Sequence, residues 1–195
     1  MTMPVRNPLR SRDSEFKVNN DPRRLDQMYS TLLGDRGPHM QLSDEVKWLA
    51  VTHKSFDHGR RGFNDRLAFL GKRIVDLQLS LALLNAPKVP LPTETHDEYG
   101  RALYHHPALE TLDNLTNFTK TEAVDKKRLA RLAEQYGLPG VIRWKPKKAD
   151  NLRGAGIDSV LAQTMYAIVG ALALEKGGEV ANKTVKERIL RPLGL

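Results

Sequence analysis

The 195-residue sequence contains no cysteine, which excludes disulfides, thiolate zinc sites and a disulfide-stapled secreted scaffold. It has no apolar run of the ~20 residues that a bilayer span requires. The most apolar segment, Val160 to Leu174, is interrupted by Gln163, Thr164 and Gly170 and reads as a buried helix. No membrane role is expected. The first residues lack the apolar stretch of a secretory signal, and Asp13, Glu15 and two prolines make a poor amphipathic transit helix. No internal repeat and no convincing strand is visible, so the expected class is all-α.

Charge is what the chain has in excess. Lysine and arginine number 31 against 23 acidic residues, a formal charge of +8. That balance suits an anionic partner, nucleic acid before an anionic membrane surface. It equally suits a basic protein whose charges merely keep it dispersed.

Residues 1–20 are polar, proline-bearing and aperiodic, and read as an extended basic arm with Arg6, Arg10 and Arg12. Residues 21–195 read as one helical domain. Asp21-Pro22 opens a helix over Arg23 to Leu33, and Ser43 is placed to cap a helix running through Trp48 to His53. From Asn64 to Leu84, Leu67, Phe69, Leu70, Ile74, Leu77, Leu81 and Leu84 recur at spacings of three and four, with Asn64 as a cap. Pro87, Pro90 and Pro92 make the following segment a loop. Helices are expected over Leu109 to Phe118, Glu122 to Tyr136, Asp158 to Glu175 and Ala181 to Leu190, with Trp144 to Gly156 as a basic loop. His105-His106 reads as a helix entry.

Three stretches, in order, resemble the ribonuclease III catalytic domain. Val51-Thr-His-Lys-Ser-Phe56 is similar to the family lead-in LTHKSF. Asn64-Asp-Arg-Leu-Ala-Phe-Leu-Gly-Lys-Arg-Ile-Val75 follows the signature NERLEFLGDAVL. Leu161-Ala-Gln-Thr-Met-Tyr-Ala-Ile-Val-Gly-Ala-Leu-Ala-Leu174 is similar to LADTFEALIGALYL. The resemblance runs from about Leu42 to Leu190 and implies the ribonuclease III type of helical fold.

It also implies where chemistry would sit. The family places two carboxylates one turn apart on the first helix and two more at i and i+3 on the later one. Each pair shares a helix face, so all four converge on hard, oxygen-seeking Mg²⁺. Those positions here are Ala68, Lys72, Gln163 and Tyr166, and none is acidic. Asp65 and Asp76 lie eleven residues apart, about 16 Å along a helix at ~1.5 Å per residue, too far to share a metal. The expectation is a pseudoenzyme with no catalytic residue, no metal and no cofactor.

The same resemblance assigns Phe69, Leu70 and Gly71 to a dimer interface, Phe69 being the aromatic that enters the partner. The competing reading keeps Phe69 in its own core. Gly71 and Gly170, each inside a helix, point to close backbone approach. Candidate RNA contacts are the arm arginines together with Arg60, Arg61, Lys72, Arg143, Lys145, Lys147, Lys148 and Arg153, since loop cations meet phosphates without reading sequence. For Trp144 two readings stand: stacking on an unpaired base, or anchorage in the core.

No double-stranded RNA-binding domain is expected after the helical domain. A basic, carboxylate-free member of this kind resembles the ribonuclease III-like proteins of the fungal mitochondrial large ribosomal subunit. That resemblance implies mitochondrial location. Its implied partners are ribosomal RNA, another ribonuclease III-like ribosomal protein as heterodimer partner, and neighbouring large-subunit proteins. The alternative is a non-catalytic subunit that positions RNA for an active ribonuclease.

Overall fold

The computed structural model describes residues 18–34, 41–87, 96, 98–102, 104 and 106–195. Among them the chain forms seven α-helices: α1 (Pro22–Leu33), α2 (Asp44–Ala50), α3 (Asp65–Leu84), α4 (Asn117–Ala123), α5 (Lys126–Gln135), α6 (Ile157–Lys176) and α7 (Gly178–Thr184). α7 continues into a π turn, Val185–Leu190, and a 3-10 turn, Arg191–Leu193. No strand forms among these residues, and the two β-bridges, Thr52 with Arg143 and His96 with Ala102, are isolated. The all-α expectation holds. Residues 1–17 of the arm, including Arg6, Arg10 and Arg12, most of the proline loop, and His105 of the expected helix entry lie outside the described residues.

α6 is the centre of the fold. It packs lengthwise on α3 and also touches α5, α7 and α2, so Val160, Leu161, Met165, Ile168 and Leu172 are all buried. A helix surrounded on most sides must be apolar most of the way round, which accounts for its weak amphipathicity. α6 is long and apolar enough to cross a membrane by composition, but its apolar surface is taken up by its own neighbours.

The α3–α6 crossing is set by two glycines. A Cβ on Gly71 would overlap the Tyr166 carbonyl oxygen, and one on Gly170 would overlap the Leu67 carbonyl oxygen. The two backbones are therefore in direct contact. Gly71, expected at a dimer interface, is buried against α6 of its own chain, because only a side-chain-free residue fits there. Its part in any interface is indirect: it holds α3 so that its other face is presented.

Local signals set the helix starts. Asp21 accepts from the Arg23 backbone N–H at 2.9 Å to cap α1, and Asp125 accepts from that of Lys127 at 3.1 Å to cap α5. Several boundaries differ from expectation. The helix expected over Leu109 to Phe118 is a 3-10 stretch, Pro107–Asn114, followed by α4, because Thr116 and Thr119 form a reciprocal capping box. The helix expected over Glu122 to Tyr136 begins only after Asp125. α2 stops at Ala50, since Thr52 and His53 turn outward to pair with Arg143: the His53 N–H donates to the Arg143 carbonyl at 2.8 Å.

Two caps expected from residue type are used otherwise. Ser43 precedes α2, but its hydroxyl donates to the Glu175 carboxylate, as does its backbone N–H at 2.9 Å. Burial works against a charged Glu175, but the two Ser43 hydrogen bonds and Lys176 outweigh it and hold the carboxyl below its usual range. Asn64 precedes α3 fully buried, donating through Nδ2 to the Ala50 carbonyl at 2.9 Å.

Candidate functional site

Ala68, Lys72, Gln163 and Tyr166 line a single open cleft of about 900 Å³ between α3, α4, the start of α5 and α6. The helical registers that the sequence predicts therefore do converge. Phe69, Asp65, Asp76, Lys54, Lys120 and Lys126 share the same cleft.

The polar groups here satisfy one another. The Gln163 amide donates to Asn64 Oδ1 at 3.0 Å and to Asp65 Oδ1 at 2.6 Å. Lys54 Nζ lies 3.7 Å from the other oxygen of Asp65, and Lys120 Nζ lies 2.8 Å from Asp76. Burial, with Asp76 adding to it, pushes the Tyr166 hydroxyl up to about 12, so it is a neutral phenol at physiological pH.

The donor set does not suit a divalent metal. Mg²⁺ takes several oxygen ligands, ideally carboxylates and waters in octahedral array. Ala68 offers no ligand, Lys72 offers a cation, and Gln163 presents its amide nitrogen to Asp65. The two aspartates each face a lysine of the same chain. Among the described residues no group of three or more His, Asp or Glu side chains could hold a metal ion.

The outward face of α3 is of a different kind. Phe69 is 67 % exposed, Leu77 57 % and Leu81 42 %. Spacings of eight and four place these three along one side of the helix, with half-buried Leu70 beside them. Arg73 lies on the same side and stacks over the Phe69 ring, 5.2 Å from its centroid. Of the two readings of Phe69, the core is excluded by this exposure.

The basic loops converge in part. Arg143 N–H donates to the Val51 carbonyl and Lys145 N–H to Ser55 Oγ, so the segment carrying both is docked on residues 51–55. Burial lowers the Arg143 guanidinium from its ordinary value, and the nearby charge of Arg61 adds to it. Arg61 itself pairs with Asp57 at 3.2 Å. Lys145, Lys147, Lys148 and Arg153 are exposed along the loop that follows. Lys72 stands apart, in the cleft.

Arg143 is a structural residue rather than a free cation. Its guanidinium lies 3.6 Å from the Trp48 ring centroid and donates to the Asn19 carbonyl and to Asn20 Oδ1. It thereby straps the entry to α1 onto α2. Trp144 is 2 % exposed, so it anchors this corner in the core and stacks on nothing outside.

Sequence reasoning passed over the exposed side of α5. Lys126, Lys127 and Arg131 form no ion pair among the described residues and face solvent. The signal was present: buried Leu129, Ala130, Leu132 and Ala133 alternate with cations at helical spacing. Tyr99 and Tyr104 are also strongly exposed, Tyr99 beneath the guanidinium of Arg101.

Comparison with known proteins agrees with this geometry. Residues 43–193 match the model of the family described as ribonuclease-III-like. The chain is 45% identical over 190 residues to large ribosomal subunit protein mL57 of Neurospora crassa, covering 97% of this chain and 69% of that one. It is 29% identical over 159 residues to ribonuclease 3 of Mycolicibacterium paratuberculosis, of which it spans 56%. Against ribonuclease 3 of Campylobacter jejuni the figures are 29% over 141 residues and 52%. The nuclease domain of ribonuclease III from Campylobacter jejuni has the same fold, with a TM-score of 0.59 over 87% of this chain and 96% of that one, at 23% identity.

Proposed function

The chain belongs to the ribonuclease-III-like family, and from that premise we propose that it is a non-catalytic structural protein of the mitochondrial large ribosomal subunit. The observation that carries this reading is the 45% identity, along 97% of the chain, to a large-subunit ribosomal protein. The protein is mitochondrial.

The cleft supports the non-catalytic half of the proposal. Hydrolysis of a phosphodiester by this family's chemistry needs carboxylates that place metal ions and a water. Ala68, Lys72, Gln163 and Tyr166 occupy the convergent positions, and Asp65 and Asp76 are matched by Lys54 and Lys120. The scaffold keeps the helix crossing and not the metal ligands.

Ribosomal RNA is the ligand that the surface cations suit. Arg60, Lys145, Lys147, Lys148 and Arg153 on the loops, Lys126, Lys127 and Arg131 on α5, and the arm arginines would neutralise phosphates. Another ribonuclease III-like ribosomal protein is the proposed partner for the outward face of α3, with Phe69 entering it and neighbouring large-subunit proteins completing the surroundings. The architecture, not a reaction, is the function.

Sedimentation of mitochondrial lysates through high-salt gradients tests this. The protein should travel with the large subunit. A free protein, or one travelling with an active ribonuclease, would refute the ribosomal reading.

A further inference from the structure

Of the five tyrosines, Tyr29, Tyr136 and Tyr166 pack in or against the core, whereas Tyr99 and Tyr104 stay 79 % and 83 % exposed. A single ring left in water needs no explanation. Two on one short segment, each beside a second flat polar group, form a pattern.

The segment is built to hold them outward. His96 and Ala102 form an isolated antiparallel bridge, and Gly100, at φ 74°, lets the chain reverse between them. A Cβ on Gly100 would meet nothing within 4 Å, so this turn stands clear of the body. Tyr99 and Arg101 flank that glycine, with the guanidinium carbon 5.1 Å from the ring centroid. Beyond the bridge, the rings of Tyr104 and His106 lie within 13° of parallel, their centroids 6.4 Å apart. That is close to the ~6.8 Å that one base occupies between two rings, twice the ~3.4 Å step of a nucleic-acid strand. The segment's far end is fixed: buried Asn114 shares its side-chain amide among the carbonyls of Leu83, Ala86 and Pro87, each at 3.4 Å.

We infer that Tyr99 and Tyr104, with Arg101 and His106, form a stacking site for unpaired RNA bases. Tyrosine, histidine and guanidinium planes are the surfaces on which splayed-out bases stack. The cation and imidazole at the two rings suit a flat ligand with polar edges and a phosphate, and not a dry apolar protein patch. Bases within a duplex are already stacked on one another, so the site accepts single strands, bulges and loops. The inference rests on the reading above that RNA is the ligand. It adds a second mode of contact: the loop lysines meet phosphates whatever the strand, whereas the tyrosines select RNA whose bases are free.

Fluorescence anisotropy with the full chain tests it, using a labelled mixed-sequence 12-mer RNA, single-stranded or annealed to its complement. Tyr99→Ala/Tyr104→Ala should weaken single-strand binding at least tenfold and duplex binding less than twofold, with the salt slope unchanged. Tyr99→Phe/Tyr104→Phe should bind the single strand within twofold of the unaltered chain. Circular dichroism should show both variants folded, since neither ring is part of the core. Unchanged single-strand affinity in the alanine variant would overturn the inference and leave the tyrosines to a protein partner. Equal losses on both RNAs, or a phenylalanine variant as weak as the alanine one, would overturn it too. In each of these cases the unaltered chain still binds RNA; an unaltered chain that binds neither RNA refutes the RNA reading itself, and the inference with it.

Discussion

The two faces of α3 obey opposite rules. Inward, Gly71 meets the α6 backbone so closely that no side chain fits, and Leu67, Val75 and Leu79 are buried alongside it. Outward, Phe69, Leu77 and Leu81 stay exposed beside Arg73, where almost any residue would be tolerated by the fold alone. The same twenty residues thus carry a face fixed by packing and a face free for association. On the function proposed above, packing has been retained where the family's metal chemistry has not, even though Val75 and Leu79 line the same cleft as Ala68 and Lys72.

The sharpest way to break this contrast is at the crossing. Gly71→Val places a branched side chain into the Tyr166 carbonyl, and Gly170→Val does the same at Leu67. Each should cost more than about 4 kcal/mol and leave the chain unfolded by circular dichroism. A folded Gly71→Val variant with an unchanged melting temperature would disprove direct backbone contact.

Cavities come next. Leu161→Ala or Ile168→Ala, fully buried in α6, should destabilise by about 2–5 kcal/mol in urea titrations. Phe69→Ala removes an aromatic ring of greater size and should change stability by no more than about 0.5 kcal/mol, since that ring packs on solvent and Arg73. Equal losses at Leu161 and Phe69 would erase the distinction between the faces.

A smaller effect lies where residues 51–56 lead into α3. His53 Nδ1 accepts from the Ser55 backbone N–H at 3.2 Å, and burial lowers the imidazole from its ordinary value against the pull of Asp65. A histidine whose folded pKa is depressed gives stability that is present above its unfolded pKa, about 6.5, and lost as pH falls through the folded value. Unfolding free energy should therefore decline below about pH 6.5, and His53→Asn should flatten that segment of the profile. A variant with the same pH dependence would remove His53 from the account.

The smallest change in stability, and the clearest in binding, belongs to the exposed loop. Lys145→Ala, Lys147→Ala and Lys148→Ala should leave melting unchanged while each lowers the salt slope of RNA affinity by about one. An unaltered slope would mean that RNA is held elsewhere, with α5 the next surface to test.

Much of this was legible in the sequence, for reasons that differ by residue. The spacings of three and four in α3 and α6 report which side is buried, so the two long helices could be read directly, while the convergence of Ala68, Lys72, Gln163 and Tyr166 came from the family resemblance. Gly71 and Gly170 signalled close approach but not to what, because a glycine says that space is short and is silent on the neighbour. Arg143 reads from the sequence only as a loop cation open to RNA, and for Trp144 the sequence leaves stacking on a base and anchorage in the core both open. Their burial depends on Thr52, Trp48 and Asn20, contacts distant in sequence that no local pattern encodes. Ser43 and Asn64 looked like ordinary caps, and tertiary partners took their side chains instead.

The claim that this scaffold is kept for binding and not for cutting can be tested in one assay. Purified protein is incubated with double-stranded RNA and Mg²⁺, and both retention and integrity of the RNA are followed on native and denaturing gels. The account predicts RNA that is retained in a salt-sensitive manner and remains intact. Cleavage that disappears when a residue of this chain is substituted would contradict it.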